Sequence, residues 1–157
     1  MTRASLALAV VLAVVVVLVS GCRDTKIVTN SYANLAEARA AGAMSAGYIP
    51  EGLPPGAHDI RAAYDPNSVD RWVIFSFPDS ERDQLMALLD PAAQPLDGQL
   101  ADVPGRIEWW PAVLRNTLNA DAIKATGLVT YRARNGDRLY AVNWSQGRAY
   151  VWTAHAR

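Results

Sequence analysis

Residues 128–153 read LVTYRARNGDRLYAVNWSQGRAYVWT, and this stretch decides the fold. Three runs rich in β-branched and aromatic residues, Leu128 to Arg134, Arg138 to Trp144 and Ala149 to Thr153, are separated by Asn135-Gly136 and by Ser145-Gln146-Gly147. Asn-Gly between alternating runs is a strong signal for a two-residue hairpin turn, because such a turn needs positive φ, and Ser-Gln-Gly supplies a second turn. The three runs therefore predict an antiparallel meander. Within it Val129 and Tyr131 share a face with Arg132 and Arg134 opposite, Tyr140, Val142 and Trp144 alternate with Leu139 and Ala141, and Tyr150 and Trp152 repeat the period. A meander of this kind is expected to bury one face under helices and to leave a partly aromatic, partly basic face.

Upstream, Ala120 to Lys124 reads as a short helix capped by Asn119 and ended by Gly127, and Ala112 to Arg115 as a helical turn after Trp109-Trp110-Pro111. Ala92 to Arg106 is broken by Pro95, Gly98, Pro104 and Gly105 and reads as a mobile loop. The segment Pro78-Asp79-Ser80-Glu81-Arg82-Asp83 predicts a helix start with Ser80 as cap; Leu85, Leu88 and Leu89 line one side, and Pro91 stops it. Arg71 to Phe77 is the most apolar strand, with Val73, Phe75 and Phe77 against Trp72 and Ile74, so it is expected at the centre of the sheet. Ala57 to Tyr64 pairs with it across the Asp65-Pro66-Asn67-Ser68 turn. Tyr32 to Ala41 reads as a helix with Asn34 as its N-cap and Gly42 at its end. This order of elements defines the fold class as α+β, an antiparallel sheet with a C-terminal three-stranded meander packed against helices.

The N-terminus is of another kind. Thr2-Arg3 precedes an apolar run from Ala4 to Val19, too short for a spanning helix and shaped like an export signal. Val19-Ser20-Gly21-Cys22 follows, and Cys22 is the chain's one cysteine. An aliphatic residue, two small residues and Cys resemble the lipobox of small bacterial lipoproteins. That resemblance implies cleavage before Cys22, a diacylglyceryl anchor on its thiol, which is nucleophilic enough to be alkylated, and palmitate as a further lipid. It divides the chain into a signal peptide (1–21), a polar tether (22–31) and one α+β domain (32–157). Arg23 in place of an acid implies the outer membrane facing the periplasm if the cell has two membranes. The set Leu53-Pro54, Ala57, Asp59-Ile60, the Asp65–Asp70 turn, Trp72, Phe75 and Phe77 also resembles small exported bacterial lipoproteins with domains of unknown function.

Composition removes several classes. Fifteen basic and fifteen acidic residues balance, which argues against nucleic acid as a partner and gives no polybasic attraction to a membrane. With one cysteine, the exported domain folds without an internal disulfide. His58 and His155 are the two imidazoles, with no metal-ligand spacing or phosphate loop beside them, and His58-Asp59 as neighbours on a strand point apart. No serine lies in a nucleophile elbow. No catalytic, cofactor or metal residue is therefore assigned. Asp65, Asn67 and Asp70 offer oxygens for a hard cation, but Ser76 stands where an EF-hand needs its glutamate, and the Asp and Asn side chains suit the turn's own backbone.

Charge is segregated along the chain: Asp79 to Asp102 holds six acids and one Arg, Leu128 to Arg157 five Arg and one Asp. The residues expected to form an interaction surface are Arg132, Arg134, Arg138, Tyr140 and Trp144. The sequence thus points to a lipid-anchored cell-envelope protein with a non-catalytic protein-binding or structural role and an envelope protein as partner. Two alternatives stand beside it: a small envelope hydrolase using carboxylates drawn from Asp59, Asp65, Asp70 or Glu108, and an immunity or inhibitor lipoprotein.

Overall fold

A computed structural model of the chain describes residues 26–155. The export signal, the lipobox and Cys22 lie outside the described residues. Strands β1 (Val28–Asn34), β2 (His58–Tyr64), β3 (Arg71–Ser76), β6 (Val129–Arg132), β7 (Arg138–Asn143) and β8 (Arg148–Thr153) form one antiparallel sheet in the order β1-β2-β3-β8-β7-β6. A two-stranded ribbon, β4 (Leu100–Ala101) with β5 (Asn116–Thr117), stands outside it. The helices are α1 (Leu35–Ala40), α2 (Arg82–Met86) and α3 (Ala120–Ala125). The fold is α+β and ends in the expected β6-β7-β8 meander.

The central strand is where its composition demands. β3 pairs with β2 on one side and β8 on the other, and five of its six residues are buried. Two cores follow from its alternation. Val73 and Phe75 face a core with Ile60, Ala62, Tyr140, Val142 and Val151, covered by Leu35 and Ala38 of α1, by Met44, Ile49 and Leu53, and by Leu85 and Leu89. Trp72 faces the opposite core with Ala63, Leu139, Ala141 and Trp152, covered by Leu96, Ile107, Trp110, Leu114, Leu118 and Ile123.

This second layer corrects the expected open face of the meander: Leu139, Ala141 and Trp152 are buried beneath it, while Tyr131 and Tyr140 are buried in the first core. It also gives the segment from Ala92 to Arg106 a packed role, since Leu96 and Ala101 are core residues and β4 lies within it. Arg115 ties the layer together, its guanidinium donating to the carbonyls of Val103, Pro104, Ile107 and Trp110. The Trp110 indole donates to the Leu114 carbonyl at 2.9 Å and meets Tyr150 and Trp152 edge to face.

Local signals hold or fail for identifiable reasons. Asn34 caps α1 by accepting from Glu37 N–H at 3.0 Å, and Gly42 at φ 73° closes it, with Ala43 N–H reaching Ala38 O and Gly42 N–H reaching Arg39 O. Tyr32 to Asn34, read as the start of that helix, instead end β1, and Val28 to Ser31, read as tether, begin it. An edge strand with one solvated face looks polar and aperiodic over so few residues. Ser80 makes no cap: Asp79–Glu81 is a 3₁₀ turn leading into α2, and no side chain caps either. Glu81 accepts from Gly56 N–H at 2.7 Å instead. At Asn135-Gly136 the hairpin is longer than two residues. Gly136 alone of the pair has positive φ, Gly136 N–H bonds to Ala133 O, and Ala133 N–H to Arg138 O.

Candidate recognition groove

The second layer covers β3, β8 and β7 and reaches β2 at Ala63, but it leaves Arg61 exposed. At its margin lies an open groove of about 780 Å³. Its floor is a row fixed by strand register: Ser31 on β1 is opposite Arg61 on β2, Arg61 opposite Ile74 on β3, and Ile74 opposite Tyr150 on β8. One wall is Trp109 from the covering layer, half-buried and edge to face with Trp110 at 5.9 Å. Arg148, opposite Ser76 and donating to its hydroxyl at 3.4 Å, stands beside Tyr150.

Asp59 and Glu37 line the same groove. Asp59 has φ 50°, a left-handed conformation that Asp tolerates better than most residues, and it sits where the β2–β3 register shifts between His58 and Arg61. The shift lifts Asp59 out of regular pairing and sets it beside the strand row. Glu37 is already engaged, its carboxylate accepting from Ala33 N–H at 2.7 Å. The groove thus presents the guanidinium groups of Arg61 and Arg148, half-buried aromatic residues that include Trp109 and Tyr150, and the carboxylates of Glu37 and Asp59. Such a lining suits recognition: Arg and aromatic side chains carry the larger share of energy in protein interfaces.

The five residues expected as one surface do not form one. Tyr140 is buried, with burial pushing its phenol up to about 12. Its ring lines a separate hollow of about 360 Å³ between Met44 to Glu51 and the β6–β7 hairpin, where Arg134 and Arg138 also stand. Arg138 donates to Gly47 O at 2.9 Å and lies 3.8 Å from the Asp137 carboxylate. Arg132 donates to Gly136 O and lines a third hollow with Asp97, Gln99 and His155. Trp144, at the far end of β7, packs edge to face on Phe77 and Tyr131 under the Arg82 guanidinium, and its indole donates to the Tyr131 hydroxyl at 3.0 Å.

The remaining candidates have local roles. His58 is exposed, its Nδ1 2.9 Å from Gly56 O. His155 Nε2 lies 2.8 Å from Asp70, whose other oxygen accepts from the Ser68 hydroxyl at 2.9 Å. In this chain the acid stands between serine and histidine, whereas a triad needs the imidazole in the middle to take the hydroxyl proton. In the Asp65–Asp70 turn, Asp65 accepts from Asn67 N–H, and the Arg71 guanidinium takes the carbonyls of Asp65, Ser68 and Asp70. Among the described residues no three His, Cys, Asp or Glu side chains gather as a metal site, and no helix is long and apolar enough to cross a membrane.

Sequence reasoning missed Arg61, Asp59, Trp109 and Arg148 as neighbours. Their one local sign is the adjacent tryptophan pair; their convergence depends on β8 lying beside β3, which joins residues more than seventy positions apart.

Residues 26–76 match the family model of the YbbD head domain. The match spans β1, α1, β2 and β3, which includes the β1–β2 side of the groove and the strained Asp59, and leaves the meander and the covering layer outside it. No curated protein and no solved structure matches the chain.

Proposed function

We propose that the protein is a lipid-anchored component of the cell envelope that acts by non-catalytic recognition of another envelope protein, through the groove of Arg61, Ile74, Trp109, Arg148 and Tyr150. The observation that carries this reading is the groove itself: aromatic area and directed cationic donors on a rigid sheet. The anchoring rests on Val19-Ser20-Gly21-Cys22. Mass spectrometry of protein extracted from membranes is expected to find a diacylglyceryl-modified Cys22 at the mature N-terminus, and Cys22→Ser to abolish it. An unmodified N-terminus beyond Cys22 contradicts the anchor.

The recognition reading is tested by capture from envelope extract with the full chain and with Arg61→Glu/Arg148→Glu, both folded by circular dichroism. Loss of one specific partner in the variant supports the groove, whereas equal capture by both refutes it.

The envelope hydrolase is the second reading, because Asp59 and Glu37 share the groove. Glu37 is committed to the Ala33 N–H, which leaves the arrangement short of a free acid and base facing one bond. Turnover of an envelope glycan or ester that Asp59→Asn abolishes would put this reading first.

A further inference from the structure

The two edges of the sheet are treated differently. At the β6 edge a covering segment takes the outward-facing carbonyls: Asp90 N–H bonds to Arg132 O at 2.8 Å, Gln94 N–H to Thr130 O at 2.9 Å, and the Thr130 hydroxyl donates to Gln94 O. Along antiparallel strands the N–H and C=O of one residue point the same way, and the direction alternates from residue to residue. Carried from Thr130 and Arg132 through the register of all six strands, that alternation turns Thr29, Ser31 and Ala33 of β1 outward. Ala33 confirms the parity, since its N–H leaves the sheet to reach Glu37. Among the described residues no segment pairs with Thr29 or Ser31.

β1 is also long and undefended. It has seven residues, Val28 to Asn34, with no charge, no proline and no glycine. Edge strands that stay single are normally blunted by lysine, proline, a bulge or a cover. We infer that the β1 edge is the interface between two copies of this chain, paired antiparallel about a two-fold axis at Asn30.

The register follows from which groups are free. Centring on Asn30 places Thr29 of each copy opposite Ser31 of the other, so the four outward N–H and C=O pairs of these residues bond across the axis, and the Ala33 N–H stays with Glu37. Asn30 then faces Asn30 in a non-hydrogen-bonded pair, where Cα atoms approach to about 4.5 Å. Val28 and Tyr32, both half-buried, meet across the axis and complete each other's apolar cover. A two-fold axis sets every residue near it against its own kind, so a charged strand would oppose like charges. The neutrality of Val28 to Asn34 is what self-pairing requires and what a partner of fixed charge does not.

The test uses the full chain in detergent. Asn30→Cys under mild oxidation is expected to give a disulfide-linked dimer as the main species, and Gln146→Cys, on the β7–β8 turn away from this edge, to give no disulfide-linked dimer. Thr29→Pro removes an outward N–H without touching the β2 pairing, so it is expected to weaken dimerisation at least tenfold by sedimentation while β3 and the cores keep their melting transition. Asn30→Lys and Asn30→Glu should each be monomeric alone and recover a dimer when mixed, which covers the case of a misfolded proline variant. A single-chain mass for the wild type at all concentrations overturns the inference and leaves the edge to an extended segment of another protein. A dimer that Thr29→Pro and Asn30→Lys both leave intact overturns it as well.

Discussion

Phe77 and Gly147 hold each other through their backbones: Phe77 N–H donates to Gly147 O at 2.8 Å, and the Phe77 carbonyl oxygen occupies the space that a Cβ on Gly147 would need. Gly147 also has φ 58°. Gly136, at φ 78°, has nothing within 4 Å of the same point. The two glycines therefore separate conformation from contact. Gly136→Ala is expected to cost about 1 kcal/mol for its backbone alone, and Gly147→Ala about 3 kcal/mol or more. Denaturant melts of both variants measure the difference; equal losses would show that the Phe77 contact relaxes freely.

Phe75 is fully buried between β2 and β8, against Phe77 and the residues of α2. Phe75→Ala is expected to destabilise the domain by about 3–5 kcal/mol through lost transfer energy and a cavity. A loss under about 1 kcal/mol would contradict its place in the central core.

Alkaline stability follows from the tyrosines. Burial raises the Tyr140 phenol from 10.0 to about 12, with Asp137 adding to the rise and Arg138 opposing it. Below pH 10 folded and unfolded chains both keep the proton; as pH rises from 10 to 12 the unfolded chain loses it first, so stability falls. The contribution lost is about 2–3 kcal/mol. Tyr32, through burial, and Tyr64, through its hydrogen bond with Tyr48, are shifted the same way. Tyr140→Phe should flatten the decline of the denaturant midpoint above pH 10. An unchanged slope would mean that Tyr140 ionises without unfolding.

Arg115 serves four carbonyls of the covering layer. Arg115→Ala leaves those acceptors to find water and is expected to cost about 2–4 kcal/mol. The layer also sets Trp109 against the groove, so partner capture should fall with tryptophan emission shifting to the red. Arg115→Lys is expected to recover part of the stability, because one ammonium cannot reach the carbonyls that a planar fork spans.

The strands were legible wherever burial on both faces or a turn residue marked them: Arg71 to Phe77 by composition, the meander by Gly136 and Gly147. β1 was not, because an edge strand with a solvated face carries too weak a pattern over seven residues. The helix caps at Asn34 and Asn119 were legible because each is a contact within three residues of sequence. Ser80 had the same spacing but lost to tertiary structure, since Glu81 is drawn to Gly56 and the chain tightens into a 3₁₀ turn. Tyr140 alternates as a strand residue should, but alternation does not tell a covered face from an open one, and its ring is core. Nothing in residues 128–153 announces that Trp110 arrives to cover Trp152.

The sheet begins at Val28, six peptide links along the chain from Cys22. A chain of that length reaches at most about 20 Å when fully drawn out. With lipid on Cys22, the protein would be a low plaque on the bilayer rather than a bristle standing off it. Molecules deeper in the envelope would lie beyond its range, and any that it meets would have to come to the membrane themselves.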